Sequence, residues 1–257
     1  MPTARLEYRA KSRRPRMKII DRTDGSRCRV RVLLAGRRMT VDREMPEMVA
    51  TLVTPGASEW LALSDDLLAG LVHALNNRVT ALSVCAELAG LGDLEMVKEG
   101  VLQSEVARLQ RVSVLIGCFP ARGVAEALDI GPVLDDALAI HSHHPRTRRV
   151  ECTVHVGHGM QPVRAPRWAL LRLLLVIMDA AKGGAQEAGR GSVSIELTSD
   201  VECVRLKTDA RGNDGAYAVE MAAVCGGVLL RESDSLVLTL PSLIEVRRRE
   251  RTAHGSI

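Results

Sequence analysis

Apolar positions near the start of the chain alternate. Arg27-Cys-Arg-Val-Arg-Val-Leu-Leu places an apolar residue at nearly every second position, the period of a half-buried strand. Ala35-Gly-Arg-Arg suits a turn, and Met39-Thr-Val-Asp returns as a second strand of a small hairpin. Thr54-Pro55-Gly56 punctuates the end of this head. The period then changes. Ser64 is expected to cap a helix whose first turn holds Asp65 and Asp66, the charge sign that a helix N-terminus favours. Val72, Leu75, Val79, Leu82, Ala86 and Ala89 follow at alternating spacings of 3 and 4, the seam of a coiled coil or helix bundle. Leu91-Gly92-Asp93 breaks the run. A second helical pattern uses Val97, Val101, Ala107 or Arg108, Leu109, Val112, Leu115 and Ile116, and runs to Gly117. Two helices joined by a tight turn form an antiparallel hairpin. A lone hairpin leaves its seam wet, so pairing with a second copy into a four-helix bundle is expected, which makes the chain a homodimer.

After a linker at Phe119-Pro-Ala-Arg-Gly123 the pattern becomes mixed. A helix is expected over 130–140, a strand over 150–156, and a helix over 167–181 that stops at Gly183-Gly184. Paired strands follow at 192–197 and 202–207, then a helix over 216–224 ended by Gly226-Gly227. Strands at 228–231 and 235–240 close a hairpin before Pro241. The tail Arg247-Arg-Arg-Glu-Arg251 reads as charged and frayed, and residues 1 to 18 as disordered. The expected class is therefore α+β, with a basic arm (1–55), a helical hairpin (58–120), an α/β layer (124–243) and a charged tail (244–257).

Composition narrows the function. Aromatics make up 2% of the 257 residues, so stacking platforms for single-stranded nucleic acid are not expected. The longest apolar run, Leu173 to Met178, falls far short of the roughly 20 residues needed to span a bilayer. The N-terminus lacks the layout of a signal peptide, and the protein is expected to be cytoplasmic. Six cysteines without a CxxC pair read as reduced, buried thiols. Residues 1–47 carry 14 basic and six acidic side chains, so the positive charge is concentrated in the head. Such an arm suits nucleic acid, an anionic membrane surface or an acidic partner, although no helix-turn-helix, finger or ribbon signature accompanies it.

The candidate chemistry lies on the first long helix. His73, Asn76, Asn77 and Thr80 fall at i, i+3, i+4 and i+7 and are expected to form one polar face, turned away from the Val72/Leu75/Val79/Leu82 seam. An imidazole held open to solvent on a rigid helix can attack phosphorus through an accessible ring nitrogen. Asn77, one turn further along, is placed to position a water or a phosphoryl group. His141, His143 and His144 read as the polar end of a helix before Pro145, since no Cys or acid completes a metal set beside them. His155 and His158 are expected to face solvent.

The stretch His73-Ala-Leu-Asn-Asn-Arg-Val-Thr-Ala-Leu82 resembles the phosphoacceptor motif of bacterial histidine kinases. The order of elements behind it, from about Ser64 to Pro241, resembles the dimerisation and ATP-binding domains of that family. The departures concern the nucleotide. Ala74 stands where the family has an acidic base. In Leu170-Leu-Arg-Leu-Leu-Leu-Val-Ile-Met-Asp-Ala-Ala181, similar to the family's N box, Asp179 and Ala180 match. Val176 and Arg172 occupy the positions of its asparagines. An aliphatic chain cannot ligate a hard cation, and without Mg²⁺ phosphoryl transfer from a triphosphate loses its main electrostatic support. Asp209-Ala-Arg-Gly212-Asn-Asp-Gly215 has lost the spacing of the glycine-rich box, and the short stretch from Asp209 to Gly226 leaves no room for a mobile lid. Asp179 and Asp209 read as surface or capping residues.

Together these features imply a histidine phosphotransferase of a two-component phosphorelay. His73 would relay phosphoryl groups between response-regulator receivers, with Asn77 as the second catalytic residue and Asn76 and Thr80 positioning the partner's phosphoryl group. Little or no Mg-ATP binding is expected, and the receiver would bring its own Mg²⁺. Two other readings stay open. One is a divergent active histidine kinase. The other is a non-catalytic dimeric scaffold, for which His73→Ala would leave function intact.

Overall fold

The computed structural model describes residues 28–34, 37–43, 55–90, 99–120, 123–209 and 215–254. The chain divides at Thr54 into two compact units. In the first, strands β1 (Cys28–Leu34) and β2 (Arg37–Arg43) pair antiparallel, with Val30 opposite Val41. The head is thus a hairpin as its alternation predicts. Residues 1 to 18 lie outside the described residues.

The second unit opens with helix α1 (Pro55–Gly90), which starts earlier than the sequence reading placed it. The reason is an apolar stripe running directly up to the seam residue Val72. Trp60, Leu63, Leu67 and Leu71 recur at spacings of 3 and 4, and all are buried. Ser64 therefore lies inside the helix rather than at its cap, and its hydroxyl donates to the Leu61 carbonyl at 3.0 Å. Helix α2 (Glu99–Gly117) packs back along α1 as the second arm of the hairpin. Glu105 fastens the two arms: its carboxylate accepts from Arg78 of α1 and Arg108 of α2, and these two guanidinia, Arg78 foremost, hold it below the usual carboxylate range. Val112 and Leu115 bury the base of α2, whereas Val72, Val79, Val84, Val101, Val106 and Val114 leave an apolar surface open along the hairpin.

The remainder is a two-layer α/β sandwich. Helix α3 (Ile130–His141) is capped by Asp129, whose side chain accepts from the Gly131 amide. After β4 (Glu151–Val156) comes α4 (Arg167–Glu187), apolar almost all round because it lies between α3, α5 and the sheet. Next are β6 (Ser192–Ser199), β7 (Cys203–Asp209), α5 (Ala216–Val224), β8 (Val228–Glu232) and β9 (Ser235–Pro241). The strand order is β4-β6-β7-β9-β8, with β4 and β6 parallel and the other pairs antiparallel. Val193, Ile195 and Leu197 of β6, Val204 and Leu206 of β7, and Leu236, Leu238 and Leu240 of β9 point into the core.

Four features differ from the sequence reading. Two four-residue strands, β3 (Ala125–Leu128) and β5 (Val163–Pro166), form a separate antiparallel ribbon. They are too short, and Pro166 too unstrandlike, to show in a periodicity. Helix α4 continues through Gly183-Gly184, because burial of Ala181, Gly184 and Ala185 outweighs the poor helix propensity of glycine. The charged tail is helical, α6 (Leu243–His254), with Arg248 and Arg249 both on the buried Glu245 carboxylate. Cys225 is buried, whereas Cys85, Cys118, Cys152 and Cys203 are half-buried thiols.

Candidate functional site

His73 sits near the middle of α1 with its ring exposed, and its Nε2 lies 3.3 Å from the Asn77 side-chain nitrogen. With the Asn77 amide donating, Nε2 is the acceptor nitrogen and Nδ1 carries the proton of the neutral ring. Asn76, Asn77 and Thr80 are exposed along the same row. The half-buried Ala74 follows His73 on the side that packs against the core. The polar face is not turned away from the whole seam as expected: Val72 and Val79 are exposed beside it, because the buried side of α1 is taken by Leu67 and Leu71, so polar and apolar positions share one open face.

How α1 meets the α/β layer decides where that face is held. The first junction is aromatic. Trp60 stacks on Tyr217 of α5 with ring centroids 5.6 Å apart and lies 6.3 Å from Phe119. The Arg172 guanidinium of α4 sits 4.7 Å from the Trp60 ring centre and 5.3 Å from that of Trp168. It also donates to the Tyr217 hydroxyl at 3.3 Å and to the Phe119 carbonyl at 3.0 Å. Glu59 of α1 accepts from the Tyr217 amide at 3.3 Å, placing a carboxylate on the N-terminal turn of α5. The linker residue Phe119 is thus part of a packed joint, and Arg172 is its hub.

The second junction is ionic. His141 and His144 are fully buried and stacked, with centroids 5.1 Å apart. They are the interior end of α3 rather than a polar terminus. The His144 Nδ1 accepts from the amides of Arg146 and Thr147 at 3.2 and 3.3 Å, which leaves its proton on Nε2, 3.5 Å from Asp179. The His141 Nε2 lies 3.7 Å from the same oxygen. Asp66 of α1 completes the group, 4.0 Å from His144 and 2.7 Å from the Arg146 guanidinium. Burial pushes His144 below the ordinary histidine value, with His141 adding to the effect. For Asp179 burial acts upward, but the facing His141 and His144 outweigh it and hold the carboxyl low. Asp179 is therefore a half-buried carboxylate facing two buried imidazoles, rather than the surface or capping residue that the sequence suggested.

The close approach at this junction has a steric requirement. A Cβ at Gly70 would fall 1.9 Å from the His143 carbonyl oxygen, so only glycine lets α1 lie this near the end of α3. A third link is Asp136 of α3, which binds Arg111 of α2 and Arg167 of α4.

Of the other sequence candidates, Asp209 is exposed and lies 3.8 Å from Arg190. His155 and His158 are exposed. Residues 210–214 of the expected glycine-rich box lie outside the described residues. No group of three or more His, Cys, Asp or Glu suited to a metal occurs among the described residues, and none of their helices is long and apolar enough to cross a membrane. The Glu59–Trp60–Arg172–Tyr217 joint escaped the sequence reading, although the 3/4 spacing from Trp60 to Leu71 signals that α1 begins upstream.

No protein-family model matches the chain, and no curated protein matches it. Among solved structures it is similar to the mycobacterial sensor histidine kinase MprB, at 19% identity and a TM-score of 0.37, over 46% of this chain and 98% of that one. It is also similar to the Acinetobacter baumannii histidine kinase AdeS, at 16% identity and a TM-score of 0.37, over 66% of this chain and 96% of that one. A structure described as a bacterial phosphotransferase aligns at 16% identity and a TM-score of 0.35, over 70% of this chain and 96% of that one. At these scores the likenesses carry no functional weight.

Proposed function

We propose that this chain is a histidine phosphotransferase of a bacterial two-component phosphorelay, acting through His73 without ATP. The observation that carries the reading is the exposed His73 ring on a long, braced helix, with Asn77 on its Nε2. In the proposed step Asn77 swings off, and the Nε2 lone pair attacks the phosphorus of an aspartyl phosphate on a response-regulator receiver. The P–N bond forms as the acyl P–O bond breaks, and the aspartate leaves as carboxylate with the bonding pair. The Nδ1 proton stays on the ring, so no acid at position 74 is needed. Transfer to a second receiver is the same step in reverse. Asn77, released, donates to a phosphoryl oxygen; Asn76 and Thr80 line the approach.

The residues at the expected nucleotide positions support an ATP-independent route. Val176 is aliphatic and half-buried, and Arg172 is engaged by the rings of Trp60 on α1 and Trp168 on its own helix. Neither supplies an oxygen ligand for Mg²⁺, so no step is routed through a nucleotide, and the receiver brings its own metal. The open valines of α1 and α2 suit a second copy of the hairpin, giving a four-helix bundle that presents two His73 rings. The α/β layer then serves as a docking surface for the receiver.

The test is incubation with a receiver domain phosphorylated by labelled acetyl phosphate, beside labelled Mg-ATP. We expect acid-labile label on the wild type from the receiver only, complete loss with His73→Ala, and about a tenfold slower transfer with Asn77→Ala. Label from Mg-ATP that depends on His73 would make the chain an active kinase. A folded dimer that takes label from neither donor would leave only the scaffold.

A further inference from the structure

A basic cavity of about 460 Å³ opens on the α/β layer, away from the His73 row in sequence and built by two loops. Arg146, Arg148 and Arg149 come from the loop after α3, and Arg190 from the turn between α4 and β6; Gln186 and Gly191 complete the polar lining. No carboxylate lines it among the described residues. We infer that this cavity is a binding site for a small molecule bearing a diphosphate group.

The walls are held in place. The buried His144 takes both the Arg146 and Thr147 amides on Nδ1, and the Arg148 and Val150 amides donate back to the His144 and Thr147 carbonyls at 3.2 and 3.0 Å. The loop that carries three of the arginines is thereby tied to the interior. On the other side the Arg190 amide donates to the Ala185 carbonyl at 2.8 Å, closing the end of α4. Guanidinia on anchored loops are ready for bidentate contact with phosphate oxygens at little ordering cost.

The charge balance gives the size of the ligand group. Arg146 is taken by Asp66 at 2.7 Å, and Arg190 faces Asp209 only at 3.8 Å, with its Nε buried and without a hydrogen-bond partner. Arg148 and Arg149 are exposed and carry no ion pair among the described residues. Two uncompensated guanidinia and one loosely held match the two to three negative charges of a diphosphate better than a single sulfate or carboxylate. The volume falls in the range of small-molecule sites, about 300–1,000 Å³. A long polyanion such as nucleic acid fits less well. Glu151 and Glu187, exposed and adjacent in sequence to the lining residues Val150 and Gln186, interrupt any basic track leading away from the cavity.

Titration calorimetry of the full chain with inorganic pyrophosphate tests this at physiological ionic strength, with orthophosphate and sulfate alongside. We expect saturable binding of one pyrophosphate per chain, about tenfold tighter than orthophosphate or sulfate. The double variant Arg148→Ala/Arg149→Ala, confined to exposed side chains, should lose about tenfold in affinity, whereas Arg247→Ala on α6 should bind like the wild type. Equal binding of all three anions would overturn the proposal, as would a loss with Arg247→Ala as large as that of the double variant. So would duplex DNA that binds through Arg148 and Arg149 and is not displaced by pyrophosphate. The readout is binding alone, so it is independent of whether His73 transfers phosphate.

Discussion

Asp179 faces the buried imidazoles of His141 and His144, and the shifts of His144 and Asp179 make stability depend on acidity. His144 has a native value lowered from 6.5. A histidine whose native value is depressed binds more protons when unfolded. Its contribution is fully present above the unfolded value and is lost as pH falls through the native one. The lowered Asp179 acts in the same sense further down, below 3.8. Urea unfolding should therefore show stability falling from about pH 6.5 downward, and His144→Asn, which keeps an acceptor for the Arg146 and Thr147 amides, should flatten that fall. An unchanged slope would place the effect elsewhere. Arg172 gives a second prediction at this scale. Arg172→Lys keeps the charge but loses the planar fork over Trp60 and Trp168, and should cost about 1–2 kcal/mol in chemical denaturation.

At the scale of elements, the most exacting contact is that of α1 with the end of α3. Gly70→Ala must push the helix off the His143 carbonyl or strain both, and should destabilise by about 1–3 kcal/mol with the m-value unchanged. What could be read in advance follows from how local each signal is. The first residue of α3 and both ends of α5 match the sequence reading, in which Gly226-Gly227 marks the end of α5; in the structure the Asp129 side chain caps α3 and Gly226 has a positive φ. The start of α1 was not legible, since Ser64-Asp65-Asp66 imitates a cap that only the burial of Trp60 overrules. The His73 row was legible because helical spacing alone sets it. The partnership of Asp66, His144 and Asp179 was not, because it joins three elements distant in sequence.

For the whole molecule, the hairpin's two surfaces have different fates. Leu67, Leu71, Val112 and Leu115 are buried within this single chain, whereas Val72, Val79, Val101 and Val106 remain open. In the proposed dimer the open valines form the seam between copies. Val79→Glu should therefore yield a folded species of half the mass by light scattering, with the circular dichroism of the wild type. A wild type that is already monomeric would remove the bundle from the proposal.

The crowding of rings around Arg172 also bears on how such experiments can be followed. The chain has two tryptophans, Trp60 and Trp168, and both stand against that one guanidinium. The ultraviolet emission of the protein thus originates mainly at the joint between the helical hairpin and the helix layer of the α/β sandwich. Any event that loosens the hairpin from its seat will change the colour and intensity of that light without a label, while events confined to the far strands will leave it unchanged.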